Sequence, residues 1–438
     1  MSQPHVHPSP EATQSCVRCL YTTDHPLGLT LDEEGICSGC RVHDEKDSLD
    51  WDARWKKLEL IIAPYRVASG KTYDCIVPVT GGHDSYFIVH LVKERLGLNP
   101  LLVTYNKYFN TPLGIRNLAN LRIRFNCDIL TQNVNPVSVR KITRTTLREL
   151  GSIYWPCLAG QTVFPVQTAV RYKVPLIIWG AHQGLEQVGQ FSHEHEVEMT
   201  RRYRKDHDLM GHEADDLLSI FDTLTEDDIW QYRYPDDASL HAVGVRGIYL
   251  GNYVRWDPKA QHEAMVARHG YRSASFARTF DTYDHVDCFN FMGLHDHIKW
   301  LKHGYSKVTD HACREIRHAR LTREQAMALV RHHEAQPVPY MDLFCKWLGI
   351  EPKGLAFMLG RLGSGAADGP SAQGLRKTDI SRPETGGSAP GRAGGLASEA
   401  LLVSAGFVAN GDLCLGRPER YITIGKGWPD TSEGGHFD

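Results

Sequence analysis

The sequence predicts an α/β protein built on a doubly wound parallel sheet, with a small four-cysteine module before it and a helical region after it. Three observations lead there. Short apolar runs alternate with helical stretches from residue 71 onward, four cysteines crowd into the first forty residues, and beyond about residue 210 the texture turns helical.

In chain order, residues 1–13 are polar and rich in Pro and His, the composition of a disordered end. Residues 14–45 form the cysteine module. Cys16 and Cys19, then seventeen residues, then Cys37 and Cys40 make the Cys-x-x-Cys spacing of a structural Zn²⁺ site, with Gly35 and Gly39 permitting tight turns. With four protein ligands, the zinc would hold the module together and not catalyse. Residues 46–70 read as a helical connector, with Trp51, Trp55, Leu58, Ile61 and Ile62 at helical spacing. Residues 71–235 carry the alternation. Runs 75–79, 101–105 and 175–179 read as buried parallel strands, 127–130 as a weaker one, and 86–96 and 113–125 as helices. Pro78 is awkward in a central strand and implies a bulge or a missing ladder bond. Residues 236–359 read as helical, most clearly 294–303, 308–319 and 323–332, the last opened by a Thr322/Gln325 capping box. Residues 360–400 have linker composition, and 401–438 form a tail with one apolar run at 401–408.

Of 438 residues, 42% are apolar and 23% charged, as in ordinary soluble globular proteins. A formal net charge of −3 does not suggest a nucleic-acid-binding surface. No run approaches the roughly 18 apolar residues of a spanning helix, and the N-terminus lacks the pattern of a secretory signal. Eleven cysteines in such a chain point to thiols and metal, and a cytoplasmic location is expected.

The chemistry centres on Thr80-Gly81-Gly82-His83-Asp84-Ser85, which follows the first strand at Val79 and opens a helix. Adjacent glycines let the backbone approach an anion, and the helix N-terminus supplies free N–H groups. Thr80 and Ser85 add hydroxyls, and Asp84 can help hold Mg²⁺ or order the loop. The spacing is not that of a Walker loop. It resembles the Ser-Gly-Gly-x-Asp-Ser signature of the PP-loop ATP pyrophosphatases, with Thr for the first Ser. Such a loop implies ATP cleaved between the α and β phosphates, with adenylation of a carbonyl-type oxygen. His83 stands at the variable position. Val103, Thr104 and Tyr105, ending the next strand, should border the adenosine, because ligands sit beyond the carboxyl ends of open α/β sheets.

Weaker constellations stand beside the loop. His193-Glu194-His195-Glu196 reads as a solvated stretch before a metal site, and Cys157 as an inert buried thiol before a sulfur carrier. Within 307–320, Asp310, Arg314 and Arg317 share one helical face, either a salt-bridged surface or a phosphate clamp. Asn106, Trp179, Lys307, Asp310 and Arg314 are candidate substrate contacts.

Taken in order, Gly35-Ile36-Cys37-Ser38-Gly39-Cys40, residues 73–85, Asn99-Pro100 into 101–106, Ile177-Ile178-Trp179-Gly180, Tyr249-Leu250-Gly251 with Trp256-Asp257, and Gly293-Leu294-His295 running into 309–314 are similar to the N-acetyl sugar amidotransferases of surface-polysaccharide and O-antigen biosynthesis. The resemblance covers roughly residues 14–355. It implies conversion of the acetamido group of a sugar, often nucleotide-linked, to an acetamidino group, with adenylate as leaving group. Ammonia would come from a separate glutaminase subunit working with a cyclase-like subunit similar to those of histidine biosynthesis. Two features depart from the family: Ala181 stands where Glu often follows the Trp-Gly pair, and nothing in the family matches the tail. Two other readings are a sulfur-transferring PP-loop enzyme such as a transfer-RNA thiolase, and a catalytically silent scaffold for the ammonia-producing partners.

Overall fold

A computed structural model of the chain describes residues 13–66, 73–284 and 290–364. The expected disordered N-terminus (save residue 13), most of the expected linker and all of the tail lie outside the described residues. Five parallel strands form one sheet: β1 (Cys75–Pro78), β2 (Pro100–Tyr105), β3 (Ile129–Gln132), β4 (Leu176–Trp179) and β5 (Arg246–Tyr249). Their order, β3-β2-β1-β4-β5, reverses direction between β1 and β4. An open parallel sheet has its crevice at such a switch, beyond the carboxyl ends of the strands.

β1, β2 and β4 are buried on both faces, which explains why they read as continuous apolar runs. Ile76, Leu101, Val103 and Ile177 face one side, and Val77, Leu102, Leu176 and Ile178 the other, as the two-residue period of a strand requires. β3 is only half-buried and lies two residues later than the run 127–130. β5 falls inside the segment expected to be helical. It is an edge strand that opens with Arg246 and Gly247, so no apolar run announces it. Pro78 ends β1. Val79 N donates to Val103 O at 2.9 Å, so by alternation the N–H that Pro78 lacks would have pointed toward β4, where Ile76 pairs with Ile177. The sheet opens on that side.

In the N-terminal part, α1 (Ser38–Ser48) and α2 (Trp51–Ile62) follow the cysteine knuckles. α3 (His83–His90) continues into one π-helical turn, Leu91–Arg95. α4 (Pro112–Phe125) starts at Thr111, whose hydroxyl accepts from Gly114 N at 3.0 Å, and stops at left-handed Asn126. α5 (Pro136–Leu150) and α6 (Trp155–Tyr172) lead into β4. After β5 come α7 (Pro258–His269), α8 (Met292–His303), α9 (Lys307–Arg317), α10 (Arg323–Glu334), α11 (Met341–Leu348) and α12 (Pro352–Ser364). The Thr322/Gln325 box does open α10, with bonds of 2.9 and 3.2 Å.

One continuous core joins the cysteines and Tyr21 to Leu58, to the α3 face of the sheet, and to Val308, Ala312 and Leu329. The opposite face is covered by α6 through Phe164, Val166 and Ala169. Each fully buried side chain of this kind contributes roughly 1.5–3 kcal/mol. α6 approaches β2 closely because Gly160 has no side chain; a Cβ there would lie 2.1 Å from the Tyr105 ring. Gly160→Ala is expected to lower stability by about 1–3 kcal/mol, measured by urea unfolding. Unchanged stability would mean that Tyr105 yields and that the α6–β2 spacing is not set here.

Candidate active site

The segment after β1 turns through Gly81, whose φ is +87°; a Cβ there would meet Leu118 Cβ at 2.9 Å and Gly114 O at 3.0 Å. Within the turn Thr80 N donates to Ser85 Oγ at 2.9 Å and Gly82 N to Thr80 Oγ1 at 3.3 Å. Gly82 is the N-cap of α3 and carries no side-chain cap, which leaves N–H groups of the first turn for an anion. His83 Nε2 lies 3.0 Å from Asp84 Oδ1. Burial opposes charge on His83, but Asp84, Asp284 and Asp281 outweigh it and raise the imidazole above its ordinary value of 6.5.

Two cavities meet at this turn. The smaller, about 330 Å³, lies in the crevice between β1 and β4 and is lined by Val79, Thr80, Asp84 and Ser85, by Val103, Thr104 and Tyr105, and by Trp179, Ala181 and His182. The larger, about 480 Å³, lies between the turn, the cysteine module and the C-terminal helices. Gly82 and His83 line it on one side, and Lys299, Lys307 and Asp310 on the other. Thr80, Asp84, Leu158, Gln161, Gln183 and Asp208 line both.

Several polar groups of the smaller cavity were not singled out from the sequence. Arg204 stacks on the Trp179 ring, 4.2 Å from its centroid, and pairs with Asp208 at 2.6 Å. Its Nε and Nη2, Trp179 Nε1 and both ring nitrogens of His182 are buried without a hydrogen-bond partner among the described residues. Burial, then the charge of Arg204, pushes His182 down to about 4, so its ring is neutral. Buried polar groups without partners are rare in folded proteins; here they ring a cavity that holds space for a polar ligand. Arg204 and Asp208 carry a weak sequence signal, because 201–208 is dense in charge and reads as solvated surface, whereas Trp179 is already a candidate contact.

The candidate substrate residues divide. Trp179 lines the smaller cavity, Lys307 and Asp310 the larger. Asp310 is buried in a knot where it accepts from Tyr21 Oη at 2.8 Å and Gln187 Nε2 at 3.0 Å and pairs with Lys299 at 2.5 Å. Burial opposes its charge, but Lys299 and Lys307 hold it down to about 2. Asn106 and Arg314 line neither cavity. Asn106 is fully buried and bonds Asn133, Asn110 and the Tyr108 N–H, shaping the chain after β2. Arg314 pairs with Asp281 and Glu315 at 2.5 and 2.7 Å. Arg317 bonds the carbonyls of Glu186 and Gln187 and lies 4.0 and 3.8 Å from the sulfurs of Cys19 and Cys37. The shared face of Asp310, Arg314 and Arg317 is therefore neither a solvated surface nor an open clamp: Asp310 and Arg314 are tied up in ion pairs, and Arg317 in bonds to backbone carbonyls.

The sulfurs of Cys16, Cys19, Cys37 and Cys40 are buried and lie within 4.8 Å of one another. The N–H groups of Arg18, Cys19 and Cys37 point at Cys16 Sγ from 3.3–3.4 Å, a donor set that suits a metal-bound thiolate. These residues fit a tetrahedral ion such as zinc. His193 is buried on Glu45 at 3.1 Å and belongs to no metal-type cluster among the described residues. Cys157 is buried and lines neither cavity.

Residues 277–364 match the family described as LPS biosynthesis protein WbpG-like, C-terminal domain. That segment contains α8 and α9, which supply Lys299, Lys307 and Asp310 to the larger cavity, and the match ties it to lipopolysaccharide biosynthesis. The chain is also similar to an uncharacterized protein of Methanocaldococcus jannaschii, 27% identical over 118 residues, which are 27% of this chain and 42% of that protein. The chain thus matches less than half of that relative's length. No helix among the described residues is long and apolar enough to cross a membrane.

The raised pKa of His83 has a signed consequence. Its stabilising effect is complete below about pH 6.5 and is lost as pH rises through the shifted value. The urea midpoint should therefore fall across that window in the native protein and stay flatter in His83→Gln. Parallel curves would show that His83 is not held charged.

Proposed function

We propose that the chain is an ATP-dependent amidotransferase of the PP-loop type, which converts the acetamido group of a nucleotide-linked sugar to an acetamidino group. The observation that carries this reading is the meeting of two cavities at the Thr80–Ser85 turn, one in the sheet's crevice and one walled by the WbpG-like segment. A reaction that joins a nucleotide to a second substrate needs such a shared boundary.

The smaller cavity suits ATP. Val103–Tyr105 and Trp179 would contact the nucleoside, while Gly81, Gly82 and the N-terminus of α3 would receive the pyrophosphate end. Asp84 and Asp208 would hold Mg²⁺, which when bound would offset charge on the departing pyrophosphate. Arg204, and His83 whose charged form Asp84 favours, would do the same from the protein. The sugar would enter from the larger cavity, past Lys299 and Lys307. The acetamido oxygen attacks the α-phosphorus and pyrophosphate leaves; ammonia then adds to the amide carbon, and AMP departs with the former amide oxygen. Ammonia would be delivered by the glutaminase and cyclase-like partners. Ala181 borders the smaller cavity, where Asp208 already supplies a carboxylate, so the family's usual Glu at that position is not required for a charge there. Cys16, Cys19, Cys37 and Cys40 would hold zinc as a structural ion. A sulfur-transfer reading is disfavoured, because no cysteine among the described residues lines either cavity.

The test is pyrophosphate release from ATP with ammonium and UDP-linked N-acetyl sugars. Release is expected to need both, to give a sugar with NH in place of the acetamido oxygen by mass spectrometry, and to fall roughly 10²-fold or more in Asp84→Ala. Release that depends on a sulfur donor or transfer RNA would overturn the proposal. So would silence of the folded protein with its glutaminase partner present.

A further inference from the structure

We propose that His90, Glu94 and His269 form a second metal site, for a divalent transition ion of the zinc class, at the opposite end of α3 from the phosphate turn. His90 is the last residue of α3, Glu94 lies in the π turn that follows, and His269 ends α7. His90 Nδ1 is 2.9 Å from Glu94 Oε2, His269 Nε2 is 3.2 Å from His90 Nδ1, and His269 Nε2 is 3.8 Å from Glu94 Oε2. Nitrogen and oxygen ligands about 2.0–2.1 Å from a tetrahedral zinc stand roughly 3.3–3.4 Å apart. The three separations straddle that value.

Hydrogen bonding satisfies the cluster only if the 3.4 Å bond from Arg124 is given up. Arg124 Nε donates to His269 Nδ1 at 3.4 Å, so a neutral His269 carries its proton on Nε2. That proton can be accepted only by His90 Nδ1, whose lone pair is then used. His90 Nδ1 and the Glu94 carboxylate would then face each other at 2.9 Å with no proton between them. If His90 Nδ1 carries a proton for Glu94 instead, two N–H groups oppose each other at 3.2 Å. No placement of protons satisfies both contacts and the Arg124 bond together. A cation at the centre accepts a lone pair from all three groups. Binding moves the His269 proton to Nδ1 and breaks the Arg124 Nε bond, while Arg124 Nη2 keeps its bond to Arg268 O at 3.1 Å.

The setting favours a held ion. Both imidazoles are buried, and the Glu94 side chain is 45% exposed, which leaves an entry path and a fourth position for water. Two imidazoles and one carboxylate suit zinc-like ions and not Mg²⁺ or Ca²⁺. The π turn that carries Glu94 is a feature that recurs at functional sites. An ion here would tie α3 to α7 and so brace the helix that begins at the phosphate turn.

The experiment is a zinc titration of the full chain, with its cysteine site kept loaded, against a chromophoric chelator, compared with Glu94→Gln and His269→Gln. Each variant is expected to bind one equivalent fewer than the native protein, whatever the cysteine site holds. Cobalt in that extra equivalent should absorb without thiolate charge-transfer bands. Equal stoichiometry in native protein and Glu94→Gln, whose surface position spares the fold, would overturn the proposal. So would charge-transfer bands accompanying every bound cobalt.

Discussion

At the end of β1 the chain must pass from a strand buried on both faces into a helix whose first N–H groups face the sheet's carboxyl edge. It does so in the few residues between Pro78 and His83. Gly81 makes the turn by adopting positive φ against the backbone of α4, where a side chain would collide with Gly114 O and with Leu118. Any other residue would add backbone strain of about 1–3 kcal/mol to that collision. Pro78 removes the N–H that would have continued the ladder toward β4. The crevice, the uncapped start of α3 and the boundary between the two cavities all follow from this one local geometry.

Buried charge fixes what surrounds the turn. Lys46 of α1 is 2% exposed and pairs with Glu186 at 2.6 Å, while Arg317 of α9 bonds the Glu186 and Gln187 carbonyls beside the cysteine sulfurs. Lys299 and Asp310 join α8 to α9 and, through Tyr21, to the cysteine module. Desolvation offsets most of the attraction within such pairs, so they are weak grounds for stability. Removing one partner, however, strands the other in a dry environment at a cost of about 3–5 kcal/mol. These pairs therefore act as registers that hold the module and the C-terminal helices at the rim of the larger cavity.

How much of this could be read in the sequence depended on whether the signal was local. The turn, the cysteine pairs and the three central strands are contiguous patterns, and each was legible. β5 was not, because an edge strand opening with Arg246 and Gly247 has no two-sided apolar run. Arg204 and Asp208 were missed for a related reason: four residues apart in a polar stretch they look like a solvated ion pair, and only the sheet's topology carries them over Trp179. Asn106 and Arg314 were favoured for their chemistry and their nearness to strand end or motif. Both instead spend their polar atoms on neighbouring loop and helix residues. His90 and Glu94 share a helix but gain meaning only when α7 brings His269 to them.

We read the crevice between β1 and β4 as a nucleotide site oriented by the turn. This reading is tested most directly by a crystal structure of the protein with a non-cleavable α,β-methylene analogue of ATP and Mg²⁺. The base is expected beside Trp179 and Val103–Tyr105, with the β and γ phosphates on the Gly81–Ser85 backbone. A nucleotide bound elsewhere, or lying in the crevice with its phosphates directed away from Gly82 and Asp84, would contradict it.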